Sequence, residues 1–265
     1  MTIDAFRACP DGVYDDGVVR VVRAPDRPGI RLDGLVLTHG LAAGEVDNDL
    51  AGRLAALDGA DPETFERLFT GIVLTSATDP LQAWAGFYRT TLTRLTGAHD
   101  AGGSIAEFAP IYCRARALAR GHRVLDVGSC FGFLPLLLAE DGQQVLASDV
   151  NPGSMRLLSA VAPCLPVVCC GAESLPLPDG AVDTVFALHL LEHVDAALGA
   201  AVLTEAIRVA RQRVVVAVPY EVAPTAAYGH VRTVDHTDLV ALGERSGLAF
   251  DVLDADGGWL VLDQR

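Results

Sequence analysis

The stretch that decides the fold is Val124-Leu125-Asp126-Val127-Gly128-Ser129-Cys130-Phe131-Gly132. Its first residues favour a β-strand, two glycines four positions apart follow, and an apolar helical pattern begins at Phe133. Glycine permits a tight turn and lets a ligand approach the backbone closely. The stretch therefore predicts a strand, a ligand-binding turn and a helix, at the point where open α/β sheets bind their ligands.

Downstream of this turn, strand and helix patterns alternate to the end of the sequence. Strands are predicted at 123–127, 144–149, 165–170, 182–188 and 213–218, helices at 133–141, from 152, at 197–210 and at 235–246, and a closing hairpin at 249–263. This alternation predicts right-handed crossovers and a parallel sheet covered on both faces. We expect a doubly wound α/β domain over residues 105–265, with the hairpin adding an antiparallel edge strand.

Residues 1–104 follow a different pattern, which predicts a mixed α+β extension. A hairpin is expected at 13–23, a second extended stretch at 30–40 and a linker at 97–104. Helical periodicity covers 48–57, 62–74 and 82–95, and its aromatic stripe is typical of a core: Trp84, Phe87 and Tyr88.

The composition limits the possible partners and locations. All 20 basic residues are arginine, 34 residues are acidic, and the net charge of −14 argues against nucleic acid, which needs a basic face. The apolar runs are shorter than the ~18 residues of a membrane span, and the N-terminus lacks a basic and then apolar leader. Six cysteines without a C-x-x-C pair are typical of reduced thiols. We expect a cytoplasmic protein.

The charge around the turn indicates the kind of ligand. A dinucleotide site would read G-x-G-x-x-G, whereas here Asp126 precedes the first glycine by two residues. A carboxylate there would repel a pyrophosphate but suits an ammonium group. Asp149 follows 23 residues later, close to the ~20-residue interval that places an acid on ribose hydroxyls. Its alternative role is to cap the helix that begins near Pro152. Together the two acids favour a methionine-bearing nucleoside over NAD.

The segment from about 122 to 218 resembles the class I S-adenosylmethionine-dependent methyltransferases that act on small molecules. Asp126–Gly132 resembles their first motif and Asp149 their ribose-binding acid. The run AESLPLPD at 172–179, followed by VDTV at 182–185, resembles A-E-x-L-P-F-x-D…F-D-x-V, and LHLLEHV at 188–194 resembles x-H-x-L-E-H-V. The resemblance implies a Rossmann-like, seven-stranded sheet and S-adenosylmethionine as the cofactor.

The resemblance also assigns residues to the cofactor. Cys130 stands where the family has a glycine, and Gly171 where many members have an aspartate for the adenine amine, so adenine is expected on the backbone amide of Ala172. The expected cofactor-binding residues are Asp126, Gly128, Ser129, Cys130, Gly132, Asp149, Val150, Ala172, Glu173 and Leu188.

Methyl transfer needs alignment and removal of the acceptor's proton, because the sulfonium is already activated. His189 follows the fourth strand of the α/β domain and His230 lies after the fifth, so both are candidate bases. Candidate acceptor-binding residues are Arg232, Tyr228, Glu192 and Tyr112. His193 is expected to pack against the sheet and His236 to begin a helix. No metal cluster is expected, although residues 230–238 could hold magnesium through oxygen ligands.

Over its whole length the chain is similar to actinobacterial mycofactocin oligosaccharide methyltransferases. This implies a sugar hydroxyl on a glycosylated redox cofactor as the acceptor, with residues 1–104 capping the cofactor cleft and selecting that acceptor. A C- or N-methyltransferase of a quinone, polyketide or amine stays open, because the cofactor half is shared. A cofactor-binding sensor without catalysis and, more distantly, an NAD-dependent dehydrogenase are further alternatives.

Overall fold

The computed structural model describes residues 4–57, 62–97 and 102–264. The chain divides into two compact units, Met1–Ala109 and Pro110–Arg265. Of the linker expected at 97–104, residues 98–101 lie outside the described residues, and Ser104 already begins a helix. Within the described ranges, no helix combines the length and apolar character needed to cross a bilayer.

The first unit combines a four-stranded sheet with helices, as the sequence predicts. The strands are β1 (Val13–Asp15), β2 (Arg20–Arg23), β3 (Ile30–Asp33) and β4 (Val36–His39), and the helices are α1 (Asp49–Ala55), α2 (Pro62–Thr75) and α3 (Pro80–Thr96). The sheet order is β1-β2-β4-β3, with β2 and β4 parallel and the other pairs antiparallel. The expected hairpin at 13–23 is therefore confirmed.

Helix α2 lies close against β1 and β2. A Cβ added at Gly71 would stand 2.5 Å from the Val21 side chain and 2.8 Å from that of Tyr14, so only glycine fits this contact. Arg67, 2% exposed, pairs with the buried Asp16 and with Glu63. The aromatic stripe of α3 is buried, as predicted for Trp84, Phe87 and Tyr88.

The second unit is a doubly wound α/β domain, which confirms the predicted fold class. Helix α4 (Ser104–Leu118) leads into β5 (Arg123–Val127), α5 (Phe133–Glu140), β6 (Gln144–Asp149), α6 (Pro152–Val161), β7 (Val167–Cys169), β8 (Val182–Leu188), α7 (Ala196–Val209), β9 (Ala210–Val218), α8 (His236–Ser246), β10 (Ala249–Asp254) and β11 (Gly258–Asp263). The seven strands lie in the order β10-β11-β9-β8-β5-β6-β7. Strands β5 to β9 are parallel to one another.

Two details of the predicted α/β domain are wrong. The antiparallel strand is not at the edge, because β11 inserts between β9 and β10 and pairs with both. Strand β11 carries the more apolar run and is almost wholly buried, whereas β10 is mostly exposed, and burial decides which of them takes the inner place. Strand β9 also begins at Ala210, directly after α7, three residues earlier than predicted.

Asp183 on β8 fixes the start of β5. Its carboxylate accepts from the amides of His122 (2.7 Å) and Arg123 (2.9 Å) and pairs with Arg211. Burial alone would raise the pKa of Asp183, but these three donors outweigh it and lower the pKa. Since the folded state has the lower pKa, this contribution to stability is present above the ordinary carboxyl pKa and is lost as the pH falls through the lowered value.

We expect Asp183→Asn to lower the free energy of unfolding by about 1–3 kcal/mol at neutral pH, because both strand amides donate to one oxygen, Oδ2, and an asparagine that keeps this oxygen in place turns its NH2 group toward the Arg211 guanidinium. Urea unfolding followed by circular dichroism measures this. Asp251→Asn on the exposed face of β10 is the matched control and should shift stability by less than about 0.5 kcal/mol. Equal losses in the two variants would contradict the role given to Asp183.

Candidate functional site

The predicted site residues gather at one edge of the parallel sheet. Strands β5, β6, β8 and β9 run in the same direction, so the segments after Val127, Asp149, Leu188 and Val218 leave the sheet at the same edge. The glycine turn follows β5, and the two candidate bases follow β8 and β9. This is the edge at which doubly wound sheets bind ligands.

The turn between β5 and α5 is held in an unusual backbone conformation. Gly128, Cys130 and Gly132 have φ angles of 74°, 49° and 75°, in the left-handed region. The amides of Gly128 and Ser129 both donate to the carbonyl of Ser148, at 2.8 and 2.9 Å. Cys130 has a Cβ, so a positive φ angle is energetically unfavourable for it. Backbone strain of this kind is concentrated at ligand sites.

Close packing explains the two glycines. A Cβ on Gly132 would stand 2.5 Å from Leu158, and a Cβ on Gly128 would stand 3.0 Å from Leu190. Leu158 is fully buried, so a Cβ at position 132 would have to displace a side chain of the core. The turn is therefore fixed from both sides.

Asp126 is buried beneath this turn, with 4% of its surface exposed. Burial raises its pKa to about 7, a hydrogen bond with Ser129 opposes the shift, and the negative charge of Asp149 adds to it. Burial likewise raises the pKa of Tyr112, to which Cys130 and Asp126 contribute. A buried acid with so high a pKa is one that a cationic ligand would stabilise in its charged form.

Asp149 ties the end of β6 to the glycine turn. Its Oδ2 accepts from the amide of Cys130 and its Oδ1 from the amide of Asn151, both at 2.8 Å. The alternative that Asp149 caps α6 is wrong, because Asn151 is the cap and accepts from the amides of Gly153 and Ser154. Each carboxylate oxygen keeps a further lone pair that could accept from a hydroxyl.

The remaining predicted cofactor residues line the same edge with differing exposure. Val150 is 72% exposed directly after β6, and Leu188 is the half-buried last residue of β8. Ala172 is half-buried after β7, beside the exposed Glu173. A Cβ at Gly171 would stand 2.5 Å from the Glu173 carboxylate, so the glycine makes room for a side chain that folds back over it.

A second group of polar side chains lies after β8 and β9, and we call His189, Glu192, His193 and His230 the histidine–glutamate cluster. His189 has a φ of 50°, and its Nδ1 lies 3.5 Å from Glu192 Oε1. The rings of His193 and His230 meet edge to face, with centroids 4.8 Å apart. Glu192 and His193 belong to a short 3₁₀ turn, Leu191–His193.

Glu221 orients His230. Its Oε2 lies 2.7 Å from His230 Nδ1, and its Oε1 accepts from the hydroxyl of Thr225 at 2.5 Å. In this contact the Nδ1–H of His230 donates a hydrogen bond to Glu221. Nε2 is therefore the ring nitrogen available to a ligand. Sequence reasoning missed Glu221, although a carboxylate three residues beyond the end of β9 is a signal for the ligand edge.

Sequence reasoning also gave His193 a packing role. In the structure His193 is exposed and its ring contacts that of His230. The expectation that His193 packs against the sheet is therefore wrong. The signal was present in the spacing, because His193 directly follows Glu192 in the turn that begins at the ligand edge. His236 begins α8 as predicted and contacts Asp254, with its Nδ1 2.9 Å from Oδ1.

The histidine–glutamate cluster contains a buried carboxylate, that of Glu192, with few hydrogen-bond donors around it. Glu192 is 1% exposed, and no side chain of the described residues donates a hydrogen bond to its carboxylate, although His189 Nδ1 stands 3.5 Å from Oε1. Burial raises the pKa of Glu192 to about 7, partly offset by its own backbone amide. Burial lowers the pKa of His189 to about 4, and the neighbouring His230 and His193 lower it further.

Two predicted acceptor-binding residues flank this cluster. Arg232 Nε donates to the carbonyls of Leu191 (3.0 Å) and Val194 (2.9 Å), so this nitrogen holds the 3₁₀ turn in place. Tyr228 is 37% exposed, with its ring 5.9 Å from that of His230. Binding of the acceptor by Arg232, Tyr228 or Tyr112 stays a prediction.

Residues 125–218 match a family model described as a methyltransferase domain. The match agrees with S-adenosylmethionine as the cofactor, and the matched segment contains the glycine turn, Asp149 and three members of the histidine–glutamate cluster. Its last matched residue is also the last residue of β9, so His230 lies beyond it.

Known relatives and solved structures are similar to parts of the chain. Uncharacterised methyltransferases of Mycobacterium tuberculosis and Mycobacterium bovis are each 37% identical over 79 residues, which are 30% of this chain. The match spans 32% of their length, less than a third. A SAM-dependent methyltransferase of Methanosarcina mazei is 17% identical with a TM-score of 0.49, covering 57% of this chain and 96% of its own. One from Archaeoglobus fulgidus is 16% identical with a TM-score of 0.48, covering 67% and 100%.

The packing around the turn makes a prediction about glycine replacement. We expect Gly132→Ala to destabilise the protein by about 1–3 kcal/mol more than Gly142→Ala, because it adds a clash with Leu158 to the cost of positive φ. Gly142 has a φ of 83° with open space at its Cβ position, so it isolates the conformational cost alone. Urea unfolding of both variants makes the comparison, and equal losses would show that Leu158 does not constrain the turn.

Proposed function

We propose that this chain is an S-adenosylmethionine-dependent methyltransferase that methylates a hydroxyl group of a small molecule or glycan. The observation that carries the proposal is the pair of acids at the ends of β5 and β6, set on either side of a turn in the left-handed conformation. Asp126 supplies a buried carboxylate for the ammonium of the methionine moiety. Asp149 supplies carboxylate oxygens for the ribose hydroxyls.

The remaining cofactor contacts follow from the same edge. Backbone groups at Gly128, Ser129, Cys130 and Gly132 would face the methionine and ribose moieties. Val150, Ala172, Glu173 and Leu188 would surround the adenine. Gly171 has no side chain to accept from the adenine amine, which supports an adenine held by the backbone amide of Ala172 rather than by an aspartate.

The reaction needs few protein groups. The acceptor oxygen forms a bond to the methyl carbon, the bond between carbon and sulfonium breaks, and the sulfur leaves as a neutral thioether. The acceptor's proton must go to a base. His230 is the favoured base, because Glu221 holds its Nδ1 and leaves Nε2 available, while the lowered pKa of His189 makes it a poorer proton acceptor.

A sugar hydroxyl is the acceptor that we favour. The choice rests on the resemblance of the sequence to mycofactocin oligosaccharide methyltransferases, and the net charge of −14 disfavours a nucleic-acid acceptor. Incubation with methyl-labelled S-adenosylmethionine and a series of glucose oligosaccharides, followed by mass spectrometry, tests the choice. We expect one product carrying an added methyl group. Transfer to an amine or carbon acceptor, with none to the oligosaccharides, would contradict a hydroxyl acceptor.

The raised pKa of Asp126 predicts a pH-dependent cofactor affinity. Because the ammonium of the ligand favours the ionised carboxylate, S-adenosylhomocysteine should bind roughly tenfold more tightly at about pH 8 than at about pH 6. Calorimetric titration at several pH values measures this.

Asp126→Asn should weaken binding at neutral pH and flatten this pH dependence, since no carboxylate remains to titrate. Asp251→Asn is again the control and should keep both the affinity and its slope with pH. A slope that persists in folded Asp126→Asn would contradict the role assigned to Asp126.

The role of His230 predicts a loss of turnover without a loss of cofactor. We expect His230→Ala to lower kcat by about 10²–10⁴-fold while the affinity for S-adenosylhomocysteine changes by less than about twofold. Glu221→Gln should lower kcat less, because the imidazole remains. His236→Ala, outside the cluster, serves as the control. Full turnover of His230→Ala would exclude His230 from proton removal.

A further inference from the structure

The histidine–glutamate cluster contains a set of donors that could hold a metal ion. Within the described part of the chain, Glu192, His193 and His230 each offer one ligand atom, and these three atoms all lie within 4.8 Å of one another. Ligand atoms bound at about 2.1 Å stand about 3.4 Å apart in a tetrahedral site and at most about 4.2 Å apart across an ion, so a pair at the outer limit would close by roughly 0.6–1.4 Å. Side-chain rotation in the exposed His193 can supply that movement.

We propose that Glu192, His193 and His230 bind a divalent first-row transition metal. Two imidazoles and one carboxylate suit manganese, iron, cobalt or zinc better than magnesium or calcium, which prefer sets made wholly of oxygen. Three protein ligands leave coordination positions for water or substrate, as in catalytic metal sites. The sequence prediction of no metal, with magnesium as the alternative near 230–238, did not include Glu192 or His193.

The surroundings of His230 match those of a metal ligand. Histidines that bind metals usually place the proton of their other ring nitrogen on a carboxylate, which fixes the ring and raises its basicity. Glu221 makes this contact with Nδ1 at 2.7 Å and is itself held by Thr225. Nε2 is therefore the nitrogen that remains for the ion.

Glu192 is the second, independent observation. Its side chain is 1% exposed, and no side chain of the described residues donates a hydrogen bond to its oxygens, with His189 Nδ1 standing 3.5 Å from Oε1. A buried and unpartnered carboxylate is costly, and a cation repays that cost. Glu221 brings a second negative charge to the same group, so the two acids together favour a divalent ion.

The metal would also explain how the acceptor is activated, and this role rests on the proposed function. An acceptor hydroxyl that binds the ion loses its proton more readily, and that proton passes to water. The resulting alkoxide attacks the methyl carbon, the carbon–sulfur bond breaks, and the thioether leaves. In the metal-bound protein His230 acts as a ligand, and the ion replaces it as the group that activates the hydroxyl.

Metal binding is tested without cofactor or acceptor, so that its failure and the failure of methyl transfer are separate results. Protein stripped with a chelator is titrated with Co²⁺ alone and followed by visible absorption, and with Zn²⁺ by calorimetry. We expect one ion per chain, with cobalt bands typical of nitrogen and oxygen ligands. Glu192→Gln and His193→Ala should each weaken binding by at least about a hundredfold, and Glu221→Gln by about 10–100-fold.

The controls separate this site from other metal-binding groups. His236→Ala should bind as the unmodified chain does, and so should folded protein whose exposed cysteines have been alkylated. Circular dichroism confirms that each variant folds. Absence of binding, loss of binding on alkylation, a thiolate charge-transfer band, or unchanged affinity in folded His193→Ala would each overturn the proposal. Cobalt binding with no affinity for S-adenosylhomocysteine would contradict the proposed function and still support the metal site.

Discussion

The backbone turn after β5 is the constraint on which the rest of the site depends. Three of its residues hold positive φ angles, and its amides donate to Ser148 and Asp149 on the neighbouring strand. The side chains of Leu158 and Leu190 close it from two directions. A turn held in this way presents its backbone to a ligand and cannot open to admit a larger side chain. The positions of Asp126 and Asp149 follow from it.

Buried negative charge then divides the edge of the sheet into two halves. On the cofactor side, Asp126 is buried close to the negative charge of Asp149, which favours a ligand with an ammonium group. On the other side, where we propose that the acceptor binds, Glu192 is buried near the negative charge of Glu221 and beside three imidazoles, which favours a metal ion. In both halves the protein carries a carboxylate whose burial is costly until a cation arrives. The folded chain thus has two buried carboxylates, each of which a positively charged group would stabilise.

The sequence predicted the α/β domain well because its strands are short, strongly apolar and separated by turns with glycine or aspartate. It misplaced the antiparallel strand, because whether β10 or β11 lies inside depends on which one packs against β9, a long-range contact that local pattern does not record. The acids of the cofactor half could be found because they stand at fixed distances from a recognisable turn. The partnership of Glu221 with His230 could not, because it joins two loop residues through a bend around Thr225. The packing role of His193 was predicted from its local helical turn. Its neighbour in space, His230, lies in the segment after β9 and could not be found from that local pattern.

The most direct test of the central claim is a crystal structure of the protein with S-adenosylhomocysteine. The account predicts the nucleoside over the turn at 128–132, with its amine within hydrogen-bonding distance of Asp126 and its ribose hydroxyls on Asp149. Electron density for the ligand at any other place, or a ribose that does not contact Asp149, would contradict it.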